Sequence, residues 1–214
     1  MWDDQLNPDY IDMMKNLSLE EKEKPRIGNK ENWYTGSRDY WNSQPTTVDG
    51  VLGGYGVIHE TDSDTSAIMI EGMKPFISGF DQALDCGAGI GRITKTTLLP
   101  AGFKAVDLLE PAPLQLEQAK LHVPEARNFY CAGLQEFDFT TRYDALWVQW
   151  CLCYLTDSDL SEFLAKTKRD GLNRTEDGKT GLIFVKENVA SGEFILDKSD
   201  NSVMRTNKQF ETIF

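Results

Sequence analysis

The chain has 214 residues, 40% of them hydrophobic, enough for one α/β domain with a modest N-terminal extension. Its formal net charge of −12 repels phosphate backbones, which argues against nucleic acid as partner or substrate and favours a basic peptide. Four cysteines without a CxxC pair and only two histidines argue against zinc, and no segment approaches the length of a membrane span. The expectation is a monomer of the cytoplasm or nucleus with reduced, mostly buried thiols and neither a metal nor a membrane partner.

Residues 1–30 are polar and charged and read as a flexible arm, with a short helix between Asp9 and Leu19. Residues 31–80 change character and read as a helical cap. Trp33, Tyr34, Tyr40 and Trp41 cluster ahead of Val51-Leu52-Gly53-Gly54-Tyr55-Gly56, where paired glycines let backbone approach something closely. Residues 64–79 carry apolar positions at Ala67, Ile68, Ile70 and Met73 and predict a helix that Pro75 bends or ends.

From residue 81 strands alternate with helices. Ala83–Cys86 predicts a buried strand, Ile90–Leu99 a helix, Ala105–Leu109 a second strand and Leu114–Leu121 a second helix. Asn128–Cys131 and Tyr143–Trp150 predict two more strands. Ser158–Lys168 predicts an amphipathic helix with Leu160, Phe163 and Leu164 on one face and Thr156 as its cap. Leu182-Ile183-Phe184-Val185 is a continuous apolar run, as for a parallel strand buried on both faces. The alternation implies a doubly wound, mostly parallel sheet over residues 81–214.

The chemistry centres on Leu84-Asp85-Cys86-Gly87-Ala88-Gly89-Ile90-Gly91-Arg92, a strand running through a glycine-rich turn into a helix. Glu110 follows nineteen residues after Gly91, at the end of the next strand, where an acid accepts ribose hydroxyls. A dinucleotide fingerprint reads G-x-G-x-x-G; here the spacing is G-x-G-x-G behind an aspartate. Asp85 would oppose a pyrophosphate and suits an amino-acid amine, so S-adenosylmethionine fits better. Gln149, Trp150 and the run Lys186-Glu187-Asn188 end strands at the crevice where ligands of open α/β sheets bind. Gly133-Leu134-Gln135 is placed to edge an adenine ring.

These segments together resemble the eukaryotic α-N-terminal protein methyltransferases. The resemblance runs from about Trp33 to the end. It is carried by Tyr40-Trp41, by Thr47-Val48-Asp49-Gly50-Val51-Leu52-Gly53-Gly54-Tyr55-Gly56, by Leu84 to Lys95 and by the crevice segments above. Ile195-Leu196-Asp197 with Asp200 and Ser202 completes it. It implies a class I S-adenosylmethionine-dependent methyltransferase fold and methylation of the α-amine of proteins beginning Xaa-Pro-Lys, ribosomal or chromatin proteins among them. It also implies that Gly87, Arg92, Glu110, Leu134, Gln135 and Gln149 hold the cofactor, Arg92 through its carboxylate. Trp41, Gly53, Trp150, Tyr154 and Ser202 would bind substrate. Asn188 would hydrogen-bond its main chain, and Asp197 and Asp200 would attract its cations or take a proton.

Two positions depart from the family. Animal members place a histidine where this chain has Tyr154, a poor base at neutrality. Relatives also continue beyond Phe214 into a strand hairpin, so the expectation is a truncated chain with its fifth strand at an exposed edge. These departures motivate an alternative, a catalytically impaired cofactor or peptide binder. A further alternative, a small-molecule methyltransferase, is disfavoured by the Trp41–Gly56 segment.

Overall fold

The computed structural model describes residues 29–214. The expected arm and its short helix lie outside the described residues, apart from the last two positions of the arm. The cap comes first, as helix α1 (Lys30–Ser43), the short α2 (Val48–Val51) and α3 (His59–Met73). The Asn29 side chain caps α1 by accepting from the Asn32 amide, and Thr47 caps α2 by accepting from Gly50. Helix α3 starts five residues earlier than the periodicity predicted and ends ahead of Pro75. Its early turns are acidic and polar, so no apolar period marks them. Ile70 is buried as expected, but Ile68 is exposed.

Five parallel strands follow: β1 (Gln82–Cys86), β2 (Ala105–Leu109), β3 (Asn128–Tyr130), β4 (Ala145–Gln149) and β5 (Leu182–Lys186). They stand in the order β3-β2-β1-β4-β5, the doubly wound arrangement the alternation predicted. The predicted helix after β1 begins at Arg92, passes through a π-helical stretch (Thr94–Leu98) and ends in α4 (Leu99–Ala101). Helices α5 (Pro113–His122) and α6 (Asp157–Lys166) complete the predicted set, and Thr156 caps α6 by accepting from Asp159. An antiparallel hairpin, β6 (Ile195–Asp197) with β7 (Ser202–Met204), and a final helix α7 (Asn207–Ile213) were not anticipated as elements.

The strand period sorts the core. Ala145 and Trp147 of β4 face one side of the sheet, with Ile70, Leu98, Phe103 and Leu116. Leu146 and Val148 face the other, with Leu160, Phe163 and Phe210. All four are fully buried, worth about 1.5–3 kcal/mol for each of the larger side chains. Trp147 stacks on Phe184 with centroids 5.3 Å apart. The four cysteines are free thiols, but only Cys86 is fully buried and Cys131 is exposed, fewer buried than the sequence implied.

One buried ion pair fixes a segment that matters below. Arg205, fully buried, donates to Asp157 at 2.7 Å and to the carbonyls of Leu152 (3.0 Å) and Leu155 (2.6 Å). Glu187 accepts from the Leu152 amide at 2.6 Å from the opposite side. The turn carrying Tyr154 is therefore clamped at both ends. Arg205→Ala removes one half of this buried ion pair and its two carbonyl contacts and is expected to destabilise the fold by about 3–5 kcal/mol, read as a lower urea midpoint at unchanged slope.

Candidate active site

A cavity of about 1080 Å³ opens at the carboxyl ends of β1, β2, β4 and β5, between the sheet and the cap. Every site residue expected from the sequence lines it. The glycine-rich turn forms its floor. Gly87 sits at φ +67°, and a Cβ there would meet the Cys151 Cβ at 2.6 Å, so no larger residue fits.

Two buried acids lie on this floor. Glu110 is buried and accepts from the Gly89 amide through one oxygen and the Ala112 amide through the other, both at 2.8 Å. Burial pushes its carboxyl up to about 7, against those two hydrogen bonds. Asp85 accepts from the Thr94 amide (3.1 Å) and hydroxyl (2.6 Å) through one oxygen only. Burial raises it to about 6. Leu134 and Gln135 form the wall beside Glu110, and the Gln135 amide folds over Gly133, where a Cβ would meet it at 2.4 Å.

Arg92 lines the cavity and spends one guanidinium nitrogen on Asp62, at 2.7 Å. Its guanidinium lies 5.6 Å from the centroid of the Trp150 ring. Gln149 also lines the cavity, but its amide is directed inward, to Asp62 and to the Trp147 indole at 2.9 Å. This qualifies the role expected of Gln149, since the hydrogen bonds of its amide are made with the protein.

The opposite part of the cavity is aromatic and acidic. Trp150 holds a left-handed backbone, φ +54°, a conformation that costs a non-glycine residue about 1–2 kcal/mol. Its amide donates to the Lys186 carbonyl at 2.9 Å, which helps hold it there. Trp41 meets Tyr154 edge to face with centroids 6.2 Å apart. Trp33, by contrast, is fully buried and donates to the Tyr154 carbonyl, a structural use. Gly53 at φ +60° has open space around its Cβ position, so its backbone lies bare to the cavity. In the motif around it, Asp49 accepts from Gly56 at 2.9 Å and a Cβ on Gly50 would strike the Pro45 carbonyl. Half of that motif is thus scaffold for the loop that presents Gly53.

The β6–β7 hairpin brings Asp197, Asp200 and Ser202 to the cavity. The two aspartates differ. Asp197 accepts from the Ser199 hydroxyl (2.6 Å) and amide (2.8 Å), which hold its carboxyl below the usual range. Burial raises Asp200, against hydrogen bonds from Ser202 and Tyr154, and the Tyr154 hydroxyl donates to it at 3.1 Å. Burial pushes the Tyr154 phenol itself well above its ordinary value. Tyr154 is therefore a hydrogen-bond donor and not a base, as expected. Asn188, just past β5, lines the same wall.

Three residues whose hydrogen bonds position the site were not singled out in the sequence. Asp62 falls just ahead of the helix predicted from residue 64, where nothing marks it. Glu187 reads as a polar neighbour of Asn188. Gln115 reads as a surface helix position, yet its amide donates to the carbonyls of Trp41 (2.9 Å) and Gln44 (3.2 Å) and ties the cap to α5.

Comparison with known proteins matches residues 29–214 to the family described as AdoMet dependent proline di-methyltransferase. The chain is 39% identical over 215 residues to Alpha N-terminal protein methyltransferase 1 of Dictyostelium discoideum, covering 92% of this chain and 76% of that one. It is 42% identical over 189 residues to the N-terminal Xaa-Pro-Lys N-methyltransferase 1 of Homo sapiens, covering 84% and 81%. A solved SAM-dependent methyltransferase from Leishmania major superposes with a TM-score of 0.77 at 36% identity, covering 85% of this chain and 71% of that one. A magnesium protoporphyrin IX methyltransferase from Synechocystis, at 14% identity and TM-score 0.59, shares the fold alone. With that match running from the first turn of the cap to the last helix, the chain belongs to the AdoMet-dependent proline di-methyltransferase family.

Proposed function

We propose that this chain transfers methyl groups from S-adenosylmethionine to the α-amine of proteins that expose an Xaa-Pro-Lys N-terminus. The observation that carries the reading is a single cavity pairing a nucleoside and amino-acid cradle with an aromatic, acidic wall. The residues present fit the cofactor: Glu110 for ribose hydroxyls, Asp85 for the amine and the unengaged part of the Arg92 fork for the carboxylate. When bound, S-adenosylmethionine supplies an activated methyl group on a sulfonium.

The protein's part is alignment, desolvation and removal of a proton. An α-amine has a reference pKa of about 7.7–8.0, so roughly a tenth is neutral at pH 7. Asp200, raised and held by Tyr154, accepts the proton of the rest. Asp197, fixed as an anion by Ser199, attracts the substrate lysine. Trp41 and Trp150 flank the N-terminus, tolerate methylated cations through their faces and exclude water. Asn188 and the bare backbone at Gly53 seat the substrate main chain. Basic proteins with this N-terminus, ribosomal or chromatin proteins included, are the natural partners of such an acidic chain.

The test is a peptide series with the full chain and S-adenosylmethionine, read by mass. A Ser-Pro-Lys peptide should gain mass in steps of one methyl, a Ser-Pro-Glu peptide far less and an Nα-acetylated peptide none. Equal methylation of all three would remove the reading.

A pH dependence follows from Glu110. Its carboxyl titrates near 7 in the free protein, and ribose hydroxyls donate only usefully to the ionised form. Cofactor binding therefore expels a proton. Affinity for S-adenosylhomocysteine should rise roughly tenfold between pH 6 and pH 8 and flatten above it. The same raised carboxyl makes the free fold bind extra protons between about 4.5 and 7, so its contribution to stability is lost as pH rises through that window. Calorimetry of the wild type beside Glu110→Gln checks this, since the variant should keep only the roughly twofold rise that Asp85, raised to about 6, leaves between pH 6 and pH 8.

A further inference from the structure

Arg92 has a hidden partner on the cap. Asp62, on α3, is buried and accepts from Arg92 at 2.7 Å, from Gln149 at 2.9 Å on each oxygen, and from Lys186. These three donors come from the first residue of the helix after β1, the end of β4 and the end of β5. Arg92 and Gln149 line the cavity, whereas Asp62 and Lys186 lie behind them. Asp62 cannot act on a ligand directly. It can only set the position of the groups that do.

Charge favours an anion in front of this cluster. Two cations, Arg92 and Lys186, meet one carboxylate. Lys186 is further tied to the cap by the Thr65 and Ser66 hydroxyls at 3.0 and 3.1 Å. Lys186 is partly exposed, but Arg92 is desolvated, shares Asp62 with Lys186 and has Asp85 as its other nearby anion, and its cavity face is where the anion of a ligand can approach. Burial would raise the Asp62 carboxyl, but the donors from Lys186, Gln149 and Arg92 outweigh it and keep the carboxyl below its usual range, a fixed anion.

We propose that Asp62 is the positioning residue that presets Arg92 for the carboxylate of the cofactor's amino-acid moiety, and so couples docking of the cap helix to cofactor binding. The proposal rests on the methyltransferase reading above. Because the same guanidinium lies over Trp150, the setting of Arg92 also reaches the substrate wall.

The experiment is calorimetry of the full chain with two probes, S-adenosylhomocysteine and 5′-methylthioadenosine, the second lacking the amino-acid moiety. Asp62→Asn should weaken S-adenosylhomocysteine at least tenfold and leave methylthioadenosine within twofold. Adding Asp62→Asn to Arg92→Gln should cause little further loss, because the two act as a unit. Should Asp62→Asn alone fail to fold, Asp62→Asn with Lys186→Met removes the anion together with one of its cations and should give the same selective loss. Equal weakening of both probes would reduce Asp62 to a structural role and overturn the proposal. Unchanged S-adenosylhomocysteine affinity in Asp62→Asn, with Arg92→Gln impaired, would overturn it while leaving the methyltransferase reading intact. Failure of the wild type to bind either probe would overturn both.

Discussion

Asp200→Asn is expected to lower kcat at pH 7 by about 10²–10⁴-fold, the range for loss of a positioned proton acceptor. The carboxyl sits where burial raises it, with the Tyr154 hydroxyl fixing one oxygen. An asparagine keeps that size and can still meet the hydroxyl, but it takes no proton. The deficit should shrink as pH rises. By pH 9 most of a substrate amine is already neutral, so the acceptor has little left to do. Asp197→Asn should behave differently. Its carboxyl is a settled anion held by Ser199, so its loss should raise KM for the peptide and largely spare kcat. A deficit in Asp200→Asn that is equal at pH 7 and pH 9 would deny Asp200 the proton.

Asn188→Lys should abolish peptide methylation while leaving S-adenosylhomocysteine affinity within about twofold. Asn188 lines the cavity, following the strand whose end fastens both Trp150 and Asp62. A lysine puts a longer, cationic side chain into the cavity that Asp197 and Asp200 also line, where under the proposed function it would compete with the substrate's own cation. It also removes the amide proposed to meet the substrate main chain. A misplaced charge with a lost hydrogen bond amounts to about 4 kcal/mol, or roughly 10³-fold in kcat/KM. Steady-state kinetics with a Ser-Pro-Lys peptide, beside calorimetry of the cofactor product, separates this from misfolding. Unaltered turnover would take Asn188 out of the site.

The parts of the fold that were legible in the sequence are those whose signal is local. The apolar runs of β1 and β4 announce parallel strands because both faces of each are covered, whereas β5, expected to be buried on both faces, lies at the sheet edge with only Phe184 buried. The glycine turn announces a close backbone approach, and Gly87 shows why. Thr156 was legible as a cap for the same reason. Helix α3 was misplaced by several residues because its buried contacts are polar. Asp62 and Ser66 are buried along it, and Ser66 back-bonds to the Asp62 carbonyl, so hydropathy marks neither.

The site divides along the same line. Residues at strand ends were found because topology puts strand ends in the crevice. Asp197 and Asp200 came from resemblance alone. On spacing they read as a solvated turn, and β6 is too short and exposed to declare a strand. Glu187 and Arg205 act through the turn between them, and no period or motif in one dimension states that segments 35 and about fifty residues from it will close on it. Asp62 is the same case at its sharpest. Its meaning depends on three donors supplied by three other elements.

The most direct test of the central claim is to locate the methyl group. Tandem mass spectrometry of a Ser-Pro-Lys peptide, after incubation with the full chain and S-adenosylmethionine, distinguishes the α-nitrogen from the lysine side chain. The account predicts that every added methyl lies on the α-nitrogen. Methylation of the lysine side chain, or no methylation by a chain that binds both cofactor and peptide, would contradict it.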